Sequence, residues 1–370
     1  MADIFDYVYW RGDLPFEYRA VNDVDAMILA RLSYLPFDEI LNRGTDTAPA
    51  LSDAAAAILR RGDSAGTELR PEDARLLAAL ADSVRFRDMR LSGCVSRFDP
   101  VTQTQFAALA VSVSDGMLYV SFRGTDCSLV GLKEDFNMSF ECPVPAQELA
   151  LEYIQDIAAG TEDCLILGGH SKGGNIAVYA ASFCGEDIQR RITAIYNFDG
   201  PGFDDRVLRC REYEAICGRI RTFVPQSSVV GMMLGHEEEY TIVHSSRSGG
   251  IMQHDLYSWD VLKDGFVCLE RVDRSSRFID YTLKAWINDL DYTQREKFVD
   301  TIYDILMQTH AGTLQDLREK RLGNAVCVLN SVRKLDAGTR AAVIYALKLL
   351  VKSAGSGLVQ VLRDYQSAGV

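Results

Sequence analysis

Gly168-Gly169-His170-Ser171-Lys172-Gly173-Gly174 is a G-x-S-x-G frame that separates two segments of different character. Residues 164–167 form a short apolar run, which predicts a buried strand, and residues 175–181 have a helical pattern. A strand-to-helix turn this tight leaves no room for side chains beside Ser171, which explains the glycines Gly169 and Gly173. The frame therefore predicts a nucleophile elbow that exposes the Ser171 hydroxyl. A glycine-rich structural turn is the alternative.

The length of 370 residues exceeds one average domain and predicts one large α/β unit with helical additions. Residues 1–85 look helical and surface-like and are interpreted as an N-terminal cap or extension. Residues 86–290 are interpreted as the α/β core, and residues 291–370 as a C-terminal helical region. No internal repeat or low-complexity tract interrupts this order.

The order of elements predicts a mostly parallel central sheet flanked by helices, because helix and strand alternate from residue 146 onward. The alternating segments are helix 146–159, strand 163–168, helix 173–184, strand 193–198, helix 205–217 and strand 219–224. Before them come strands 91–98, 105–114 and 117–122, with Asp115-Gly116 as a hairpin turn between the last two. After them come strands 240–244 and 266–272 and, from about residue 274, four helices.

Charge and cysteine content exclude several classes of protein. The net charge is −13, from 39 basic and 52 acidic residues, which argues against a nucleic-acid partner. Nine cysteines are scattered singly without a C-x-x-C pair, which predicts reduced thiols and no metal site. Residues 1–7 carry acids where a secretion signal carries Lys or Arg, so a cytoplasmic location is expected. No apolar run approaches the roughly 20 residues that span a bilayer, so no transmembrane segment is predicted.

A serine hydroxyl needs a base to remove its proton, so an elbow serine predicts a histidine later in the chain. His254 is the favoured base because it lies in the loop 248–255, where a mobile side chain is expected. His244, at a strand end, stays an alternative. His236 precedes an acidic run and His310 falls in a predicted helix, which disfavours both.

The acid that orients the histidine should follow a strand that lies after the serine strand in the sequence. Strand 219–224 leads into residues 225–228, which contain no carboxylate, whereas strand 193–198 leads directly into Asp199. Asp199 is therefore the predicted acid, with a turn aspartate before Gly-Pro as its alternative. Asp204 and Asp205 are better explained as the start of the next helix. Asp255 is disfavoured because it is adjacent to His254 in the sequence, and adjacent side chains seldom meet in the required geometry.

An oxyanion formed at Ser171 requires N–H donors, and the first helical N–H, that of Lys172, is one candidate. A second donor is expected from the loop after an early strand, where Gly124 lets the chain turn with its amides exposed to the oxyanion and Thr125 offers its N–H and hydroxyl. The alternative is a strand-end turn in which Arg123 pairs with a carboxylate.

The motifs Phe122-Arg123-Gly124-Thr125 and Gly169-to-Gly174, together with the late His254, resemble the class 3 (fungal-type) lipase branch of the α/β hydrolases. Residues 6–16, 224–232 (VPQSSVVGM) and 250–255 (GIMQHD) more closely resemble the Mbeg1-like family of bacterial proteins, which have a lipase-like domain. This resemblance spans residues 1 to about 290. It implies an α/β-hydrolase fold and ester hydrolysis without a defined substrate.

One departure from class 3 lipases concerns the acid. Those lipases usually carry their aspartate where this chain has Gln226-Ser227-Ser228. Placing the acid at Asp199, one strand earlier, resembles the arrangement in pancreatic-type lipases and agrees with the strand-end argument.

The leading hypothesis is a serine esterase or lipase that works through an acyl-enzyme on Ser171, with a small acyl ester or lipid as substrate and no cofactor or metal. Acyl transfer to another acceptor would use the same residues. A catalytically silent hydrolase fold that acts as a binding module is the alternative from a different class. The apolar residues within 225–236 either line an acyl pocket or pack in the core. The helices of 274–370 are interpreted as a lid, a homodimer contact or intramolecular packing.

Overall fold

The computed structural model describes residues 2–41, 48–61, 69–126, 128–248, 250–272, 292–308, 331–333, 335, 339–341 and 343–344. These residues belong to two units. The first unit comprises residues 1–98, 106–124 and 145–281, and the second comprises residues 99–105, 125–144 and 282–370. The predicted elbow and the candidate base and acid all belong to the first unit.

The first unit is built on a mixed sheet that has eight strands in the described residues. Their order across the sheet is β1-β2-β3-β4-β5-β6-β7-β10. Neighbouring strands from β3 to β7 are parallel, whereas β2 pairs with β3 and β7 with β10 in antiparallel fashion. The bounds are β1 Arg90–Asp99, β2 Thr104–Ser114, β3 Met117–Phe122, β4 Cys164–His170, β5 Ile192–Phe198, β6 Ile220–Pro225, β7 Tyr240–Val243 and β10 Cys268–Leu269.

A two-stranded sheet and several helices complete the described elements. The small sheet pairs β8 Val261–Leu262 with β9 Gly265–Phe266. The helices are α1 Ile4–Arg11, α2 Asp23–Leu32, α3 Asp38–Leu41, α4 Leu51–Arg61, α5 Pro71–Asp82, α6 Leu129–Asn137, α7 Pro145–Ala159, α8 Lys172–Phe183, α9 Glu186–Arg191, α10 Asp205–Leu208, α11 Arg211–Cys217 and α12 Tyr292–Met307. Among the described residues, no helix has the length and apolar character needed to cross a bilayer.

The predicted α/β-hydrolase fold, a mostly parallel sheet flanked by helices with helical additions at both ends, is confirmed. The hairpin at Asp115-Gly116 is also confirmed, since Ser114 and Met117 pair across the turn. Residues in the middle strands are buried on both faces, as expected for parallel strands covered by helices. Most of the predicted helices after residue 274 lie outside the described residues, and α12 falls within the predicted C-terminal helical region.

The prediction that the N-terminal segment is surface-like is wrong for α2. Every residue from Val24 to Leu32 is buried. The helix packs against the sheet, where the hydroxyls of Tyr119 and Ser121 donate to the carbonyl oxygens of Ala26 and Leu29 at 2.9 Å. The helical spacing in the sequence predicts one apolar side, but it does not show that Asp25 and Arg31 are buried too, each in an ion pair with a residue from later in the chain.

Two element boundaries also differ from the prediction. The helix predicted over 205–217 is interrupted at Arg209 and Cys210, because Cys210 adopts an extended backbone and its Sγ caps α11 at the N–H of Tyr213. The strand predicted over 266–272 divides into β9 and β10 at Val267. The N–H of Val267 donates to the carbonyl of Asp260, and the carbonyl of Val267 accepts from the N–H of His244. The chain therefore changes its pairing partners at Val267.

The second unit has its own apolar cluster in the described residues. Leu129, Phe140, Phe298 and Ile302 are buried in it, so one face of α12 packs against α6. The ammonium group of Lys133 lies 2.5 Å from the Asp300 carboxylate. Arg295 donates to the Ser139 carbonyl at 3.0 Å.

Candidate active site

Ser171 lies on a strained turn between β4 and α8. Its backbone has φ 59° and ψ −134°, a region that residues with side chains rarely occupy. The N–H of Ser171 donates to the carbonyl of Phe198 at 2.9 Å, which continues the pairing of β4 with β5 for one more residue. Ser171 makes no side-chain capping bond to α8, so its hydroxyl is not used to satisfy the helix end. This is the geometry expected of a nucleophile elbow.

The glycines on either side of Ser171 are required by close approach of the backbone. A Cβ on Gly169 would overlap the carbonyl carbon of Gly173, and a Cβ on Gly173 would overlap the carbonyl oxygen of Phe122. The helix α8 therefore packs directly on the ends of β3 and β4. Even an alanine at either position would have to displace backbone atoms.

Asp199 lies beside Ser171 at the carboxyl edge of the sheet. His170 and Phe198 are paired in the parallel register of β4 and β5, so Ser171 and Asp199 are each the first residue beyond their strand. Asp199 also has a positive φ, 51°, and its side chain is almost completely buried. Its Oδ1 atom accepts from Ser228 Oγ at 2.5 Å and from the N–H of Gly231 at 3.1 Å.

His254 forms a hydrogen bond with the second oxygen of the same carboxylate. The distance from His254 Nδ1 to Asp199 Oδ2 is 2.6 Å. A carboxylate accepts hydrogen bonds, so Nδ1 carries the proton and, in the neutral ring, Nε2 carries the lone pair. The His254 side chain is 21% exposed and Asp199 1% exposed, which leaves the histidine accessible to a reactant while its partner stays in the core.

A second histidine, His170, supports the backbone of His254. The two rings are 4.3 Å apart between centroids, and His170 Nε2 lies 2.8 Å from the His254 carbonyl oxygen. Burial lowers the pKa of His170 well below its ordinary value, and the charges of His254 and Arg31 lower it further. His170 is therefore neutral, and its one proton is on Nε2, where it meets the carbonyl acceptor.

Tyr34, two residues after α2, contacts His170 at the end of β4 and Gly124 after β3. Its hydroxyl lies 3.1 Å from His170 Nδ1, which can only accept in this tautomer, and it accepts from the N–H of Gly124 at 3.1 Å. The sequence analysis expected the amide at Gly124 to be exposed for an oxyanion. In the structure that amide instead donates to the Tyr34 hydroxyl.

The other two predicted oxyanion donors occupy different surroundings. Lys172 is buried and begins α8 directly after Ser171, so its N–H belongs to the first helical turn, where N–H groups point out of the helix. Thr125 belongs to the second unit. Its hydroxyl donates to Asp135 Oδ1 at 2.5 Å there, and its proposed use as an oxyanion donor stays a prediction.

The alternative histidines each have a different carboxylate partner. His244 Nδ1 lies 2.5 Å from Asp260 Oδ2, and His236 Nδ1 lies 2.9 Å from Glu238 Oε1. His310 lies outside the described residues.

The alternative acids have structural partners too. Asp204 caps α10, as the sequence analysis favoured for it, and its carboxylate accepts from the N–H groups of the first turn. Asp255 forms ion pairs with Arg70 at 3.0 Å and with Arg247 at 3.1 Å, and these pairs fix the segment after His254. The ring of His254 is bonded to Asp199.

Sequence reasoning missed Ser228, Gly231 and Tyr34. Ser228 lies in a stretch that was noted for its lack of a carboxylate and for its family motif, but the serine was given no role, and Tyr34 lies in the segment interpreted as a cap. The separations along the chain are 29 residues from Ser228 to Asp199 and 136 from Tyr34 to His170. No local pattern predicts such contacts. The VPQSSVVGM motif was the available signal for Ser228.

The family model for Mbeg1-like proteins matches residues 80–304, more than half of the chain. The chain belongs to the Mbeg1-like family. Residues 2–79, which include Tyr34 and α2, lie outside the stretch that matches. No curated protein matches the sequence.

Solved structures that are similar to this Mbeg1-like protein include fungal lipases. The lipase from Rhizopus microsporus var. chinensis is 15% identical, with a TM-score of 0.35, and the match covers 62% of this chain and 80% of the lipase. Lipase II from Rhizopus niveus is 17% identical, with a TM-score of 0.34, and the match covers 54% of this chain and 83% of that one. Similarities of this size say nothing about the chemistry of the Mbeg1-like protein.

Proposed function

We propose that this Mbeg1-like protein is a serine hydrolase that cleaves carboxylic esters, in the manner of an esterase or lipase, through an acyl-enzyme on Ser171. The observation that carries the proposal is the 2.6 Å hydrogen bond between His254 and Asp199, formed at the strand edge where the strained Ser171 elbow also lies. A buried carboxylate that fixes the tautomer of a partly exposed histidine is what a serine nucleophile requires of its base.

In the proposed reaction, Ser171 Oγ attacks the ester carbonyl carbon while its proton passes to His254 Nε2. The tetrahedral intermediate then expels the alcohol, which takes the proton from His254, and the acyl group stays bonded to Ser171 Oγ. Water attacks this acyl-enzyme with the same help from His254, and the free acid leaves. Asp199 remains ionised throughout and stabilises the imidazolium that forms twice in the cycle.

The oxyanion of each tetrahedral intermediate is assigned to the N–H of Lys172, which begins α8 directly after Ser171. Each such donor contributes on the order of 3 kcal/mol to transition-state stabilisation. The Gly124 amide is omitted because it already donates to the Tyr34 hydroxyl.

An acceptor other than water would turn the same machinery into an acyltransferase. Product analysis separates the two activities, because hydrolysis releases the free acid whereas transfer yields a new ester or amide. The substrate class proposed is a small acyl ester or a lipid. In the apolar segment after β6, Val229 and Met232 are buried, whereas Val230, Met233 and Leu234 are half-buried. Its use as an acyl pocket stays open.

The first experiment is labelling with a fluorophosphonate probe, followed by mass spectrometric mapping of the adduct. We expect one adduct per chain, on Ser171, that is abolished in Ser171→Ala and strongly slowed in His254→Ala. Ser182→Ala is the matched control, since Ser182 is a buried serine whose hydroxyl donates only within α8, to the Val178 carbonyl. Absence of an adduct on folded wild-type protein would favour the binding-module alternative. Equal labelling of wild type and His254→Ala would remove His254 as the base.

If labelling succeeds, hydrolysis of p-nitrophenyl esters of increasing chain length defines the acyl preference. A rate that rises with chain length supports a lipase-like pocket. A rate that falls beyond short acyl groups supports an esterase.

A further inference from the structure

The segment Gln226–Ser228 follows β6 directly and contains no carboxylate, yet it contacts the surroundings of both Asp199 and His254. Gln226 Oε1 accepts from the N–H of Ser245 at 2.7 Å, and Gln226 Nε2 donates to the carbonyl of Ser245 at 3.1 Å. The N–H of Ser227 donates to Gln253 Oε1 at 2.8 Å. The hydroxyl of Ser228 donates to Asp199 Oδ1 at 2.5 Å. The proposed mechanism has not yet used any of these groups.

Two donors, the hydroxyl of Ser228 and the N–H of Gly231, meet at Oδ1 of Asp199, and we call this pair the acid cradle. The carboxylate is buried, and hydrogen bonds to its charged form offset the cost of burial. Because both donors meet Oδ1, Oδ2 is left for His254 and the plane of the carboxylate is fixed. Gly231 must be glycine, since a Cβ there would overlap Asp199 Oδ1.

A buried pair formed by His236 and Glu238 contacts the acid cradle through the carbonyl of Gly231. The carbonyl of Gly231 accepts from His236 Nε2 at 2.9 Å, and Nδ1 of the same ring lies 2.9 Å from Glu238 Oε1. The two ring nitrogens of His236 therefore connect the backbone of Gly231 to the Glu238 carboxylate. Glu238 also accepts from Thr222 on β6 and Tyr213 on α11, each at 2.5 Å. The cradle is thus anchored to the sheet and to a helix.

The same segment reaches the loop that carries His254. Gln253, the residue before His254, is 2% exposed and uses both ends of its side-chain amide. Its Oε1 accepts from Ser227 and its Nε2 donates to the Arg247 carbonyl at 2.8 Å. Neighbouring residues of one short segment therefore hold Asp199 and the backbone beside His254.

We propose that Ser228 is a positioning residue, which acts on the reaction only through Asp199 by holding that carboxylate in the orientation that faces His254. This inference rests on the proposed function for its catalytic consequence. The geometric part, that Ser228 maintains the hydrogen bond between His254 and Asp199, can be tested without any reaction.

The first test is the far-downfield proton resonance expected of an Nδ1–H that donates to a carboxylate. Wild type is compared with Ser228→Ala, and the His254 signal is assigned from its loss in His254→Gln. We expect Ser228→Ala to shift or remove this resonance and Ser228→Thr, which keeps the hydroxyl, to restore it. The bond between His244 and Asp260 provides an internal control that should not move.

The second test is the rate of fluorophosphonate labelling in a double-mutant cycle. We expect Ser228→Ala to slow labelling about tenfold or more, the scale of a lost hydrogen bond to a charged group. In an Asp199→Asn background the same change should alter the rate less than about threefold, because a residue that acts through Asp199 has little left to lose. Ser182→Ala should label like wild type in both backgrounds.

Three results decide the matter. An unchanged His254 resonance in Ser228→Ala, with the protein folded, overturns the inference. An undiminished rate effect of Ser228→Ala in the Asp199→Asn background also overturns it, because Ser228 would then act independently of Asp199. Absence of labelling in wild type, combined with the expected change in the resonance, refutes the proposed function alone and supports the role of Ser228 in holding the pair.

Discussion

Asp199→Asn is the substitution whose outcome follows most directly from the structure. The asparagine amide has one oxygen, and the two donors of the acid cradle both meet the position of Oδ1. The amide oxygen is therefore held there and the NH₂ group faces His254. A donor that faces Nδ1 requires Nδ1 to accept, which moves the ring proton to Nε2. This is the nitrogen that has to receive the proton of Ser171.

The magnitude follows from the loss of the productive tautomer. In serine triads the equivalent change lowers the rate on the order of 10⁴-fold. This corresponds to about 5.5 kcal/mol, since each tenfold change in rate is about 1.4 kcal/mol. Here both donors fix the amide in the unfavourable orientation, so we expect a loss of at least about 10³-fold rather than a partial loss from a mixture of orientations.

The assay is the pseudo-first-order rate of fluorophosphonate labelling at Ser171, on protein whose fold has been checked by near-UV circular dichroism. Asp204→Asn is the matched control, because Asp204 is the N-cap of α10 and an amide oxygen can accept the same two N–H bonds. A slowing of less than about tenfold in Asp199→Asn, or one equal to that of Asp204→Asn, would refute the tautomer argument and the assignment of Asp199.

Four further predictions concern the fold around the site. Arg85→Met should lower the free energy of unfolding by about 3–5 kcal/mol in urea titrations, because it leaves the fully buried Asp25 carboxylate without its ion-pair partner. A loss below about 1 kcal/mol would contradict this expectation. Burial alone would raise the pKa of Glu238, but the hydrogen bond and charge of His236 outweigh it and lower the pKa from 4.5 to about 2. Glu238 therefore contributes about 3 kcal/mol of stability above pH 4.5 that is lost as pH falls toward 2, and Glu238→Gln should flatten this acid limb in pH-dependent unfolding. Tyr34→Phe should lower stability by about 1–3 kcal/mol because it leaves the Gly124 N–H without its acceptor; the exposed Tyr18→Phe should change nothing measurable. Gly173→Ala should prevent recovery of folded protein, whereas Gly218→Ala, where a Cβ meets no atom within 4 Å, should express normally.

The sheet was predictable because its signals are local. Apolar runs of strand length alternate with helical patterns from residue 146, and the parallel pairing of β3 to β7 follows from that alternation. The burial of α2 was not predictable in the same way. Its polar residues Asp25 and Arg31 are buried because Arg85 and Asp73, 60 and 42 residues later in the chain, pair with them, and a helical pattern has no information about such partners.

The candidate site was partly predictable for a related reason. Consecutive parallel strands end at one edge of the sheet, so a serine after β4 and a carboxylate after β5 had to be neighbours, and Asp199 was chosen on that ground. His254 was chosen from its loop, and the structure brings it to Asp199. The Gly124 amide was predicted to be exposed, but it donates to Tyr34. Tyr34 comes from a segment 90 residues earlier, so the sequence around Gly124 does not reveal this acceptor.

The position of the acid determines what the segment after β6 can do. With the carboxylate after β5, a second carboxylate at 226–228 would bring like charge close to Asp199 and would raise the cost of keeping both ionised. Serine at 228 instead donates to Asp199, and the amide of Gln226 binds the backbone of Ser245 beyond β7. The absence of a carboxylate in the motif VPQSSVVGM is therefore consistent with an acid one strand earlier.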